Sequence, residues 1–249
     1  MDASAQFEAT RTRQRTLVEE HLTDLLHLLE SQGWENTTVD ELARAAGMSR
    51  ATFFRIFGGK EDVVFLDHES MLEQLETFLS TTTHDTASTL RQGLLLVFRH
   101  HLDDRERTTV RHRLLQQSQG LRNRELLTSH RYQRIFRRWI RERLSQDAAF
   151  SDVDEEQIDA LAVSLAGAGV ALHNSSLRRW LSAPSEEVAE QLSEQLQHLI
   201  RVMLDGYAAT GQGGAADGVG SQRPVAVVTL MGEHADREQI VEAVRQALA

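Results

Sequence analysis

Apolar residues recur three and four positions apart along most of the first 209 residues, the period of helices that bury one side. Val18, Leu22, Leu25 and Leu29 predict a first helix over about 12–32, stopped at Gly33, with Trp34 packed under it. Thr38 and Glu41 form a T-x-x-E capping box, and Val39, Leu42, Ala43 and Ala46 give the helix it starts one apolar face. Gly47 stops that helix, and Ser49 caps a short second one in which Phe53 and Phe57 turn inward. A longer helix runs from Lys60 to about Leu79, ending in the polar break Ser80 to Asp85. Further helices are predicted at about 86–103, 105–119, 122–146, 154–182 and 185–208, with Pro184 between the last two. The pattern then changes. Residues 210–222 are Gly-rich, Pro224 to Leu230 reads as a short buried strand, and a helix with Ile240, Val244 and Leu248 on one side follows from about Ala235. One strand and one helix cannot bury their own apolar faces, so this unit must dock on its own bundle, on its copy or on a partner.

Two short helices around a tight turn, the second of them polar outside, are the layout of a helix-turn-helix DNA reader. Arg50 and Arg55 can present guanidinium forks to guanine, Ala51 can meet a thymine methyl, and Thr52 can bond a base or a phosphate. Thr38 and Ser49 stand at helix starts, where free N–H groups favour a phosphate oxygen. Arg11, Arg13 and Arg15 form a basic arm that could reach the backbone or minor groove.

The stretch from about residue 14 to 66 resembles the DNA-binding domain of the TetR family of bacterial transcriptional regulators. The matching pieces are Thr37-Thr38-Val39, Ala46-Gly47-Met48-Ser49, Phe54-Arg55-Ile56-Phe57 and Gly59-Lys60-Glu61, in that order. Phe54 stands where the family usually has tyrosine, and Ile56 where it usually has histidine, so two polar groups often offered to phosphates are absent. The resemblance implies a phosphate contact for Lys60, the only lysine of the chain. It also implies an all-α fold: a three-helix helix-turn-helix domain over 1–66 and a larger helical bundle for ligand binding and dimerisation over 67–209. The linker at 210–222 and the strand-helix extension at 223–249 lie beyond it.

Leu161, Leu165, Ala168 and Leu172 make one stripe, and Leu192, Leu196, Leu199 and Met203 another. Either they close the chain's own core, or they meet a second copy; the family resemblance implies a four-helix interface in a homodimer reading a pseudo-palindromic operator. Small residues at Ala166-Gly167-Ala168-Gly169 permit close approach of another helix.

The net charge of −10 excludes a protein whose whole surface binds nucleic acid, so DNA binding must rest on a local patch. Against that acidity, residues 99–143 hold thirteen arginines and five acids. Arg131, Arg134 and Arg138 recur opposite Ile135, Phe136 and Trp139. They form either a solvated outer face or, with Trp139, the mouth of an apolar pocket for an anionic effector such as an acyl-coenzyme A. The run Phe53 to Val64 is similar to family members that sense acyl thioesters or other hydrophobic metabolites.

Cysteine is absent, which removes disulfides, thiolate metal sites and cysteine nucleophiles. The enzyme signatures G-x-S-x-G, H-E-x-x-H and a Gly-rich phosphate loop after a strand are missing. Adjacent His100 and His101 diverge on a helix, and Glu194 with His198 is an ordinary surface pair, so no catalytic residue, metal ligand or cofactor is assigned. Neither a run of 18 apolar residues nor the apolar core of a signal peptide occurs, so the expected compartment is cytoplasmic, without a membrane partner. The leading expectation is a ligand-released repressor; the alternative is a protein-interaction adaptor working through the C-terminal extension.

Overall fold

The computed structural model describes residues 21–211, and among them it contains helices and turns but no strand. Helix α1 occupies 21–32. It is followed by α2 (Val39–Ala45), α3 (Arg50–Phe57), α4 (Lys60–Thr81), α5 (Thr86–Asp103), α6 (Arg105–Gln117), α7 (Gln119–Leu144), a 3-10 turn (Ala148–Phe150), α8 (Glu155–Ser182) and α9 (Glu187–Gly211). The basic arm, the start of the first helix, the Gly-rich linker from residue 212 on and the strand-helix extension lie outside the described residues, while 210 and 211 belong to α9.

Side-chain caps set the helix starts. Thr38, Ser49, Asp85, Asp104, Ser118 and Asp154 each accept a backbone N–H from the first turn that follows, satisfying donors that the helix leaves free. The predicted break after α4 falls at Thr82 to Asp85, and α5 begins at Thr86 as expected.

Two apolar cores result. The smaller joins Leu22, Leu25, Leu26 and Leu29 of α1 to Leu42, Phe53, Phe57 and the start of α4. It also takes in Val110 and Leu114 of α6 and Leu121 of α7, so residues 1–66 do not close it alone. Polar contacts repeat this link: Arg107 Nε donates to Thr23 Oγ1 at 2.8 Å, Arg113 Nη1 to Glu30 at 2.9 Å, and Trp34 N to Gln117 Oε1 at 3.1 Å. The larger core is built from α4, α5, α7, α8 and α9. Helix α4 enters both, giving Val63, Val64 and Phe65 to the first and Met71, Leu72, Leu75 and Leu79 to the second.

The two leucine stripes are placed mainly inside the chain itself. Leu161, Leu165, Leu192 and Leu196 are 0–1% exposed and Met203 is buried in the larger core. The expectation that these five form a dimer interface is therefore corrected: α8 and α9 turn their strongest stripes toward α5 and α7, where most apolar area can be removed from water. Leu172 and Leu199 are partly buried against the same core, and Ala168 is half-buried. The close approach foreseen around Gly169 is also internal, since a Cβ there would come within 2.7 Å of Leu94 Cδ1 on α5. By length and composition α8 could cross a membrane; here its apolar side is packed between neighbouring helices.

Candidate nucleic-acid interface and enclosed polar cavity

The α2–α3 turn is shaped by Gly47, whose φ of +64° lies in the left-handed region. Met48 N donates to Ala43 O at 2.9 Å and Gly47 N to Arg44 O at 3.0 Å, the paired bonds of a Schellman stop. Thr38 Oγ1 accepts the Glu41 N–H, while Glu41 Oε2 receives both the Thr38 N–H at 2.8 Å and its hydroxyl at 2.7 Å. Those bonds from Thr38 hold the Glu41 carboxyl below its ordinary value.

On α3, Phe53 and Phe57 are buried with ring centroids 4.9 Å apart, and this pair sets the helix on α1, α2 and α4. Geometry then leaves Arg50, Ala51, Phe54 and Arg55 exposed and Thr52 half-buried on the other side. Arg50 is held by Asp40 of α2, Nη1 to Oδ1 at 2.7 Å, and its guanidinium carbon lies 5.3 Å from the Phe54 ring centre. Phe54, in the position usual for tyrosine, thus supports an arginine with its face. Thr52 Oγ1 and Ser49 Oγ are 2.9 Å apart.

Lys60 departs from expectation. Its ammonium donates to Trp34 O at 2.6 Å and Thr37 O at 3.1 Å and sits 4.2 Å over the Trp34 ring. Instead of reaching outward to a phosphate, it closes the α1–α2 connection, where carbonyls would otherwise lack donors.

The arginines of α7 are corrected in a similar way. Arg131 pairs with Glu69 through both nitrogens, and Arg138 Nη2 lies 2.7 Å from Glu76. Arg134 is exposed. Trp139 is buried, its indole donating to Leu79 O at 2.9 Å. Arg131 and Arg138 are paired to the acidic edge of α4, and none of the four lines the cavity between α4, α5, α7 and α8.

The enclosed polar site lies elsewhere, between α4, α5, α7 and α8. A narrow cavity of about 20 Å³ is lined by His68, His101, Glu125, Tyr132, His173 and Asn174 together with Thr128, Ser129 and apolar side chains. Rings of His68 and His101 are 5.8 Å apart, and those of His101 and His173 5.7 Å. His68 Nδ1 lies 3.4 Å from the Tyr132 hydroxyl. His68 Nε2, His101 Nδ1, His173 Nδ1 and Glu125 Oε2 are enclosed without a hydrogen-bond partner. Burial drives the His68 pKa down to about 3 and that of His173 to about 4, and lowers that of His101 strongly. Burial likewise raises the Glu125 carboxyl, with Arg111 partly offsetting it.

Beside this cavity Arg111 of α6, 4% exposed, grips α4: its Nε donates to Val64 O at 2.8 Å and its Nη2 pairs with Asp67. Burial opposes the Asp67 charge, but Arg111 and a hydrogen bond from His100 override it and hold that carboxyl well below its usual range. Arg124 of α7 grips the same helix one turn earlier, through Asp62, Glu61 and the face of Phe65. The cavity residues escaped sequence reading, although a signal existed. His68, His101 and His173 each continue an apolar helical stripe, after Val64 and Phe65, after Val97 and Phe98, and after Gly169 and Val170.

Residues 24–65 match the family model described as bacterial regulatory proteins, tetR family. The chain is 34% identical over 105 residues to the putative mycofactocin biosynthesis transcriptional regulator MftR of Mycobacterium tuberculosis, covering 41% of this chain and 50% of that protein. It is also 34% identical over 68 residues to the HTH-type transcriptional regulator EthR of the same species, covering 27% of this chain and 32% of that protein. The aligned part thus spans half or less of these relatives' length. Among solved structures, NalD of Pseudomonas aeruginosa, the secondary repressor of the MexAB-OprM multidrug efflux pump, superposes with a TM-score of 0.52 at 18% identity, over 76% of this chain and 96% of that one. The putative transcriptional regulator from Pseudomonas aeruginosa PAO1 gives 0.53 at 16%, over 80% of this chain and 92% of that one. At such identities these two structures establish the fold.

Proposed function

We propose that this chain, whose residues 24–65 match the TetR family of bacterial regulatory proteins, is a ligand-responsive repressor of that family that binds a pseudo-palindromic operator as a homodimer. The observation that carries this reading is the outward face of α3, with Arg50, Ala51, Thr52 and Arg55 presented on a helix that Phe53 and Phe57 fix from behind. Arg50 and Arg55 are the base readers, Ala51 and Thr52 fit beside them, and the helix starts at Thr38 and Ser49 meet phosphates. Phe54 contributes by supporting Arg50.

Dimerisation would use what α8 and α9 leave uncovered, including exposed Val163 and Val202 with half-buried Ala168. The effector reading moves from the outer arginines to the cavity between α4, α5, α7 and α8. Helix α4 supports the coupling, because it belongs to both cores and is held by Arg111 and Arg124 at the join. A ligand that binds better to a widened cavity than to this narrow one would shift α4 and with it the spacing of two reading heads.

The test is selection of random duplex DNA by the purified full chain, followed by sequencing of what it retains. Enrichment of a two-fold symmetric motif is expected. Retention of no sequence above background, at low and at moderate salt, would overturn the reading.

A further inference from the structure

Four of the five enclosed, unpartnered side-chain atoms among the described residues, those of His68, His101, His173 and Glu125, belong to residues lining one cavity. Native proteins rarely leave such atoms without a partner, so their collection in one place calls for a partner that enters from outside the chain. The charges beside the cavity indicate its kind. Arg111 and Asp67 neutralise each other as a buried pair, and Glu125 adds one further carboxyl whose Oε2 nothing in the chain meets. No group of three or more His, Asp or Glu side chains among the described residues is arranged to hold a metal ion. Tyr132 and Phe136 add aromatic faces, which favour a cation.

We propose that this cavity receives the head of a small protonated amine, its N–H groups donating to Glu125 Oε2 and to free imidazole nitrogens. An ammonium head has three donors and no acceptor, the complement of a carboxylate beside neutral imidazoles. With Nδ1 of His68 protonated toward the Tyr132 oxygen, its Nε2 is free to accept. The present volume, about 20 Å³, holds little more than one water-sized group. An alkyl tail must therefore separate Leu94, Val97, Val170 and Leu177, which line the same space on α5 and α8. That separation makes the amine favour a widened bundle. The inference rests on the effector reading above and deepens it.

The direct experiment is thermal unfolding of the full chain at about pH 7.5, where an alkylamine is protonated, with n-butylammonium, n-butanol, butyrate or zinc ion added. A rise in Tm with n-butylammonium alone is expected. Glu125→Gln should weaken its apparent Kd on the order of ten-fold or more, the usual effect of losing a bond to a charged group. Glu142→Gln, an exposed change on the same helix, should leave it unaltered. An equal rise with butanol, a larger one with butyrate or zinc, no rise at all (a buried water being the true occupant), or an unaffected Glu125→Gln would each overturn the proposal.

A second readout needs no variant. The titratable groups lining the cavity are His68 on α4, His101 on α5, Glu125 and Tyr132 on α7 and His173 on α8, with Asp67, His100 and Arg111 as a paired cluster beside it. Acidification toward about pH 5 favours the proton on Glu125, whose carboxyl burial raises, while His68 and His173 stay neutral down to about 3 and 4 and the amine stays charged, so amine affinity should fall; a flat or rising affinity would also overturn the proposal. Operator selection is scored separately. A Tm response without an operator would leave this site standing and remove the repressor reading, and an operator without a response would do the reverse.

Discussion

Arg50 and Arg111 both pair with an aspartate, yet in opposite settings. Arg50 is 59% exposed and its partner Asp40 56%, so water screens the pair and the guanidinium can exchange it for a base edge at little cost. The side chains of Arg111 and Asp67 are 5% and 15% exposed; Arg111 also bonds the Val64 carbonyl and His100 also meets Asp67 Oδ2, while Asp67 Oδ1 has no partner. Breaking that pair leaves a charge in a poor solvent. The proposed reading head leaves Arg50 free to change partner, while the bundle uses its charges to fasten helix to helix. Variants that move one site toward the other's behaviour sharpen the contrast.

The largest effect is expected from Arg111→Leu. Removing one member of a buried pair should cost about 3–5 kcal/mol in urea unfolding, and adding Asp67→Leu should recover most of that loss. If the single change costs less than about 1 kcal/mol, the pair does not fasten α6 to α4.

Acid comes next. Burial lowers the pKa values of His68, His101 and His173 below the unfolded value of 6.5. The unfolded chain therefore takes up protons first as pH falls, and stability declines from about pH 6.5 toward pH 4 by about 1.4 kcal/mol per pH unit for each histidine. Glu125 acts the other way. Its raised value means that the folded chain binds the proton first, which offsets about one histidine over its window. Urea midpoints measured between pH 7.5 and 4.5 should fall, and the triple change of these histidines to leucine should flatten the slope; an unchanged slope would contradict the assignment.

Gly47→Ala should have the smallest effect on stability. A Cβ there meets nothing within 4 Å, so the penalty is the left-handed backbone alone, about 1 kcal/mol. Operator affinity should drop with it, because this turn sets the angle of α3.

The same contrast explains what the sequence made legible. Caps are local, so Thr38 with Glu41, Gly47 and Ser49 placed α2 and α3 correctly, and periodicity placed α5 and α8 within a residue or two. Which neighbour a stripe meets is not local. Leu161 and Leu192 have the spacing of an interface and lie in the chain's own core, because a leucine stripe is satisfied by any apolar surface. Charge partners were equally hidden: Glu69 and Glu76 lie some sixty residues before Arg131 and Arg138, and Lys60 found its carbonyls on a preceding turn. The buried histidines were legible as polar residues in apolar stripes, but the cavity they share depends on the packing of four helices.

On the proposed function, the exposed face of α3 reads sequence. The most direct measurement is an anisotropy titration of wild type and Arg50→Ala, on the selected operator and on a scrambled duplex of equal length. A bidentate base contact predicts a loss of about 1–3 kcal/mol on the operator and a much smaller one on the scrambled duplex. Equal losses on both would contradict the claim and reduce Arg50 to a phosphate contact.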